Sequence, residues 1–140
     1  MLVERRQIKN LIIIHLNSGD DILDSLKEAV EKHGIKNAVV LSGFGSARNH
    51  HFHVVANRDF PPVDSFVKED AEGSDVLDLT GCIINGRIHI HITHSDSKVA
   101  YGGHLEPGVK AFTFLNIFLA EVEYDFDKFD AVGKIEDTRK

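Results

Sequence analysis

The sequence predicts one domain of mixed α and β structure, with a single helix near the N-terminal end and strands through most of the remainder. Three observations predict it. Apolar residues recur at helical spacing in one stretch only, from about Asp21 to His33. Elsewhere they alternate with polar residues or run in short blocks rich in Ile, Val and Phe, which is the pattern of strands. The dipeptide Asn85-Gly86 between two such blocks is a strong hairpin signal. At 140 residues the chain is long enough to bury one real core. A single domain over residues 1–140 is expected, with residues from about 126 to 140 as a loose tail.

Taken in order, Ile8 to Leu16 read as a buried first strand. Ser18-Gly19-Asp20-Asp21 then offers capping side chains and negative charge to the start of a helix. Ile22, Leu23, Leu26, Ala29 and Val30 form its apolar stripe, and Gly34 is a plausible stop. Asn37 to Leu41 resumes a strand, making a strand–helix–strand unit that leads into Ser42-Gly-Phe-Gly-Ser46. Without a third glycine or a P-loop lysine, this glycine pair reads as a bend or bulge before it reads as an anion site. In the next strand, Asn49 to Ala56, His51 and His53 share one face while His50, Phe52 and Val54 share the other. Asn57 to Ser74, with Pro61-Pro62, reads as a long irregular connection, a lid or mobile loop, interrupted by a short strand around Ser65 to Lys68. Val76 to Ile84 is a strand that turns at Asn85-Gly86 into Arg87 to His94. Ala111 to Val122, rich in Phe and Ile, reads as a buried strand. Glu121 to Asp130 alternates acids with aromatics, as an edge strand running into the tail would.

The formal charge of −6 argues against a dedicated nucleic-acid binder, because such proteins carry basic excess to neutralise phosphate. Arg5 and Arg6 form the densest basic run and read as solvated charges. A lone cysteine, Cys82, makes no intramolecular disulfide and reads as a buried, inert thiol. No secretory pattern opens the sequence, and Leu11 to Ile14 is too short an apolar run to span a bilayer, so a cytoplasmic protein is expected.

The chemistry concentrates in Arg87-Ile-His-Ile-His-Ile-Thr-His94 and the return strand Val99-Ala-Tyr-Gly-Gly-His104. Alternation puts His89 and His91 on one face and His94 with the isoleucines on the other. A four-residue turn at Ser95 to Lys98 would place His94 opposite Val99, His91 opposite Gly102 and His89 opposite His104. Tyr101 would then oppose Ile92 and belong to the core. His89, His91 and His104 would converge, with Gly102 leaving room among them, as in a three-histidine metal site with an open position. Imidazole ligands suit zinc first, and also Cu, Ni or Fe(II). Zinc held by three neutral nitrogens can acidify a water or polarise a carbonyl. Glu106 is the nearest acid in sequence, placed to orient a ligand histidine or to handle a proton, and is the candidate catalytic residue.

The ordered set Gly19-Asp-Asp-Ile-Leu23, Val40-Leu-Ser-Gly-Phe-Gly-Ser46, Asp78-Leu-Thr-Gly81, His89-Ile-His91 and Gly102-Gly-His-Leu-Glu-Pro-Gly108 resembles the plant and prokaryote conserved (PPC) domain over nearly the whole chain. The resemblance implies an α+β fold with a mostly antiparallel sheet, assembled as a homotrimer. It implies a DNA-binding label, carried by stand-alone prokaryotic members, and a metal site at His89, His91 and His104. The fold also resembles that of acetolactate decarboxylases, which hold zinc with three histidines. The chain has no Arg-Gly-Arg-Pro AT-hook, and Ser74-Asp75 stands where plant members carry arginine-phenylalanine. Three functions follow: a DNA-binding protein with a zinc site, a zinc-dependent lyase or hydrolase acting on a small carbonyl or carboxylate compound, and a structural trimer without chemistry. Arg48 or His53 of a neighbouring copy is a further candidate to complete the site.

Overall fold

The computed structural model of the chain describes residues 3–70 and 73–124. It contains one helix and eight strands: β1 (Ile8–Asn17), α1 (Ile22–His33), β2 (Ala38–Ala47), β3 (His50–Val55), β4 (Asp64–Glu69), β5 (Ser74–Ile84), β6 (Arg87–Ser95), β7 (Ala100–Leu105) and β8 (Ala111–Val122). The strands form one sheet in the order β1-β8-β2-β5-β6-β7-β3-β4, and every neighbouring pair is antiparallel.

The strand–helix–strand unit is present, but β8 lies between its two strands and pairs with both. Helix α1 begins where its capping chemistry says it should: Asp21 is the N-cap, and its carboxylate accepts the Asp24 amide at 3.1 Å. Gly34 caps the C-terminal end, its amide reaching the last-turn carbonyls of Val30 and Glu31. Ile22, Leu26 and Val30 of α1 pack against Leu16, Val40, Leu79, Ile83, Ile90, Leu115, Ile117 and Leu119 on the inward face of the sheet.

The outward face differs from expectation. β1 is an edge strand, and Leu11 and Ile13 are 60 % and 62 % exposed, because α1 covers only the inward side occupied by Ile12, Ile14 and Leu16. Leu41, Phe44, Leu77, Phe112 and Phe114 are exposed as well. β2 does not stop at Leu41 but continues to Ala47, with register shifts at Val40/Ser42 and Gly45/Ala47. Gly45 borders the second of these bulges, and Gly43 leaves room for the Leu79 side chain, so the glycine pair serves the sheet.

Residues 57–74 are not one long loop. A full strand, β4, pairs with β3 at all six positions, from His50↔Glu69 to Val55↔Asp64. Strand β5 turns into β6 through Asn85 (φ 49°) and Gly86 (φ 79°), the two positive-φ residues that a tight hairpin of this twist requires. β8 runs between β1 and β2 up to Val122, so the stretch that reads as an edge strand from Glu121 begins inside the sheet. The remainder of that stretch and the expected tail lie outside the described residues.

Two histidines face inward. His50 and His94 are 2 % and 0 % exposed, with ring centroids 4.4 Å apart. Ser74 Oγ joins them, 3.0 Å from His50 Nε2 and 3.0 Å from His94 Nδ1, and the Tyr101 hydroxyl lies 3.2 Å from His50 Nε2. Burial lowers the pKa of both imidazoles, that of His94 to about 4. His94 falls with Ile90 and Ile92, as strand alternation requires.

Candidate metal centre

Strand alternation carries Arg87, His89, His91 and Thr93 of β6 onto the outward face, because Ile90, Ile92 and His94 fill the inward one. The β6–β7 register differs from the expected one by two residues. His91 opposes His104, Ile92 opposes Gly103, Thr93 opposes Gly102 and His94 opposes Tyr101. The cause is in the turn. Asp96 accepts the amides of Lys98 and Val99 at 2.6 and 3.0 Å, so Val99 is held within the turn and pairing begins at Ser95↔Ala100. A shift of two preserves every side chain's face, so His104 still joins His89 and His91.

Two details change with it. Tyr101 packs half-buried against His94 and His50 instead of beside Ile92. Gly102 does not make room among the imidazoles. A Cβ there would overlap the Ile92 carbonyl, so glycine permits the close approach of β7 to β6 two residue pairs away from His91 and His104.

His89, His91 and His104 each offer a nitrogen, and these donors lie within 4.8 Å of one another. The Nε2 atoms of His89 and His91 are 3.3 Å apart. Two nitrogens at about 2.0–2.1 Å from a tetrahedral ion stand about 3.3 Å apart, so this spacing fits a shared ion such as zinc. The ring of His104 stands nearly perpendicular to both others, with centroids at 4.8 and 5.4 Å. Burial is the largest influence on His89 and His104 and lowers both pKa values; neighbouring imidazoles act in the same direction, Arg87 adds to the effect at His89, and Glu106 opposes it at His104. Neutral imidazoles are the form that binds metal.

The neighbouring strand extends the cluster within the same chain. His53 of β3 opposes His104, with ring centroids 4.6 Å apart, and its Nδ1 lies 2.6 Å from Glu106 Oε1. Glu106 is held at the end of β7, where its backbone amide donates to the His51 carbonyl. His53, His104 and Glu106 make a second donor group of the same compactness. The sequence signal for His53 was its shared face with His51; pairing of β3 with β7 decides that this face meets His104. Arg48 lies elsewhere, donating to Ser18 and stacking over Phe112.

Cys82 is not in the core. It is half-buried on the outward face, directly opposite His89, and burial pushes its thiol pKa up. A cleft of about 360 Å³ lies between α1 and strands β6 and β7, lined by Leu23, Lys27, Ile88 and Ile90, and reaches His104 and Glu106 at one end.

A family model described as the Plants and Prokaryotes Conserved (PCC) domain matches residues 3–123. Among solved structures, a metal-containing protein from Archaeoglobus fulgidus is 22 % identical, with a TM-score of 0.75 over 89 % of this chain and 88 % of that one. A "putative DNA-binding protein" from Bacteroides thetaiotaomicron is 21 % identical, with a TM-score of 0.69 over 86 % and 84 %. A curated relative, the bifunctional protein GlmU of Synechococcus sp., is 27 % identical over 117 residues, 82 % of this chain. The chain spans only 17 % of that protein's length. Among the described residues no helix is long and apolar enough to cross a membrane.

Proposed function

Because the chain belongs to the Plants and Prokaryotes Conserved (PCC) domain family, we propose that it is a cytoplasmic, homotrimeric zinc protein that uses His89, His91 and His104 to bind and act on a small carbonyl or carboxylate compound. The observation that carries this reading is the 3.3 Å separation of two imidazole nitrogens, with a third imidazole standing across them. An archaeal relative of the same fold is called metal-containing, which supports the reading further.

Bound at this site, zinc supplies Lewis acidity toward a carbonyl or carboxylate oxygen. The residues around it do the rest. Arg87 and Lys27 line the cleft, and Lys27 is paired with Asp24 at 3.2 Å, so a carboxylate ligand would compete for that ammonium. His53 fixes the Glu106 carboxyl through its 2.6 Å contact, so that a proton can be taken or returned at Glu106 beside the bound compound.

Metal analysis of the purified protein tests the premise. The wild type is expected to carry zinc at this site and His91→Ala to lose that equivalent; equal zinc in both would remove the site. Glu106→Gln is expected to keep that zinc and to lower turnover of a carboxylate substrate by about 10²-fold or more. Unchanged turnover would remove Glu106 from the chemistry.

DNA binding is the second reading, supported by the name of the Bacteroides relative. The chain's 22 acidic against 16 basic residues weigh against it. A gel shift at low salt, where phosphate contacts are strongest, decides the matter: no retarded band would end this reading.

A further inference from the structure

We propose a second divalent-cation position beside the first, held by His53, Glu106 and the shared His104. It rests on the three-histidine reading, since His104 belongs to both groups.

Register builds it. β6, β7 and β3 are consecutive in the sheet, and His91, His104 and His53 oppose one another across them, so three imidazoles stand in a row with His104 in the middle. An imidazole has two ring nitrogens on opposite edges and can serve an ion on each side. On the β3 side the remaining donors are His53 Nδ1 and Glu106 Oε1, 2.6 Å apart. Two ligands of one ion stand about 3 Å apart or slightly more, so a cation entering between them needs a displacement of less than about 1 Å.

The surroundings of His53 fit the role. Its other nitrogen, Nε2, faces the Asp64 carboxylate of β4 at 3.8 Å. At that distance the carboxylate makes no hydrogen bond to the ring, but it places negative charge behind it. Glu106 and Asp64 also bring two negative charges toward an added double positive charge, whereas the first group is all imidazole. A mixed nitrogen and carboxylate set favours Zn, Fe(II) or Mn over Ca.

The protons balance. The ion takes the place of the proton shared by His53 Nδ1 and Glu106, and that proton passes to solvent. Use of both His104 nitrogens releases the ring proton as well. At one equivalent of metal the His53–Glu106 pair holds a proton; at two it holds an ion.

Zinc titration by equilibrium dialysis with elemental analysis tests this, with circular dichroism checking the fold of each variant. Two equivalents per chain are expected for the wild type. One is expected for His53→Ala and for the near-isosteric Glu106→Gln, and one for His89→Ala, which leaves the second group intact. Wild-type saturation at one equivalent, lost in His89→Ala and kept in His53→Ala and Glu106→Gln, would overturn the second position while leaving the first. A wild type that takes two equivalents unchanged in both His53→Ala and Glu106→Gln would also overturn it. No zinc in the wild type would overturn both.

Discussion

At the scale of single residues, six of the nine histidines divide by sheet face into different kinds of chemistry. His89, His91, His104 and His53 gather outward, where converging nitrogens fit a metal ion. His50 and His94 sit inward, neutral and hydrogen-bonded through Ser74, and among the described residues His94 Nε2 is a buried atom without a hydrogen-bond partner. The inward pair has a pH consequence whose sign is fixed. The unfolded chain protonates His94 near its ordinary pKa of 6.5, whereas the folded protein does so only at about 4. Stability is therefore full above about pH 6.5 and falls as the pH drops toward 4, because the unfolded state binds the extra proton. The lowered pKa of His50 acts in the same direction. Urea unfolding of metal-free protein between pH 7.5 and 4.5 is expected to show a steeper acid-side loss for the wild type than for His94→Phe, by up to about 1.4 kcal/mol per pH unit. Parallel curves would show that His94 does not control this range. Strand alternation alone made the two faces legible, since each histidine's side follows from its position in the sequence. What alternation could not say is that His50 of β3 and His94 of β6, far apart in sequence, meet across β7, with Ser74 of β5 bonded to both.

At the scale of elements, α1 is the part most fully written in local chemistry. The expected span from Asp21 to His33 matches Ile22–His33 with Asp21 as its cap, because capping and stop signals act within a few residues. Asp21→Ala is expected to lower stability by about 1 kcal/mol, read as a shift in the denaturant midpoint with an unchanged slope; no shift would show that the cap is dispensable. The β6–β7 hairpin was legible in part. Its faces were correct and its register was off by two, because the side-chain bonding of Asp96 decides where the turn closes. β4 was understated, since its exposed polar sequence carries no core pattern, and its length comes from pairing with β3. The misplacement of Cys82 has the same origin: an apolar block with β propensity does not reveal which face is covered.

At the scale of the whole molecule, the outward face joins the histidine cluster to exposed apolar side chains. Leu41, Phe44, Leu77 and Phe114 lie on the same side of the sheet as His89 and His91, and water-exposed apolar surface of that kind marks an association surface. This supports the proposed trimer. Sedimentation is expected to give the mass of three chains for the wild type and of one chain for Leu41→Glu combined with Phe44→Glu. A wild type that sediments as a single chain would exclude the trimer.

The position of β8 carries a consequence for how the chain reaches this state. It fills the gap between β1 and β2, so the first third of the chain has no completed sheet until residues beyond Ala111 arrive. During synthesis, the apolar faces of β1, α1 and β2 must wait for a partner that lies some seventy residues further along the chain than β2. Closing contacts across a hundred residues of chain is slow, and the waiting segments are open to wrong pairings. The strand that completes the sheet therefore also sets its timetable: the nascent N-terminal unit needs protection from aggregation until nearly the whole domain has emerged.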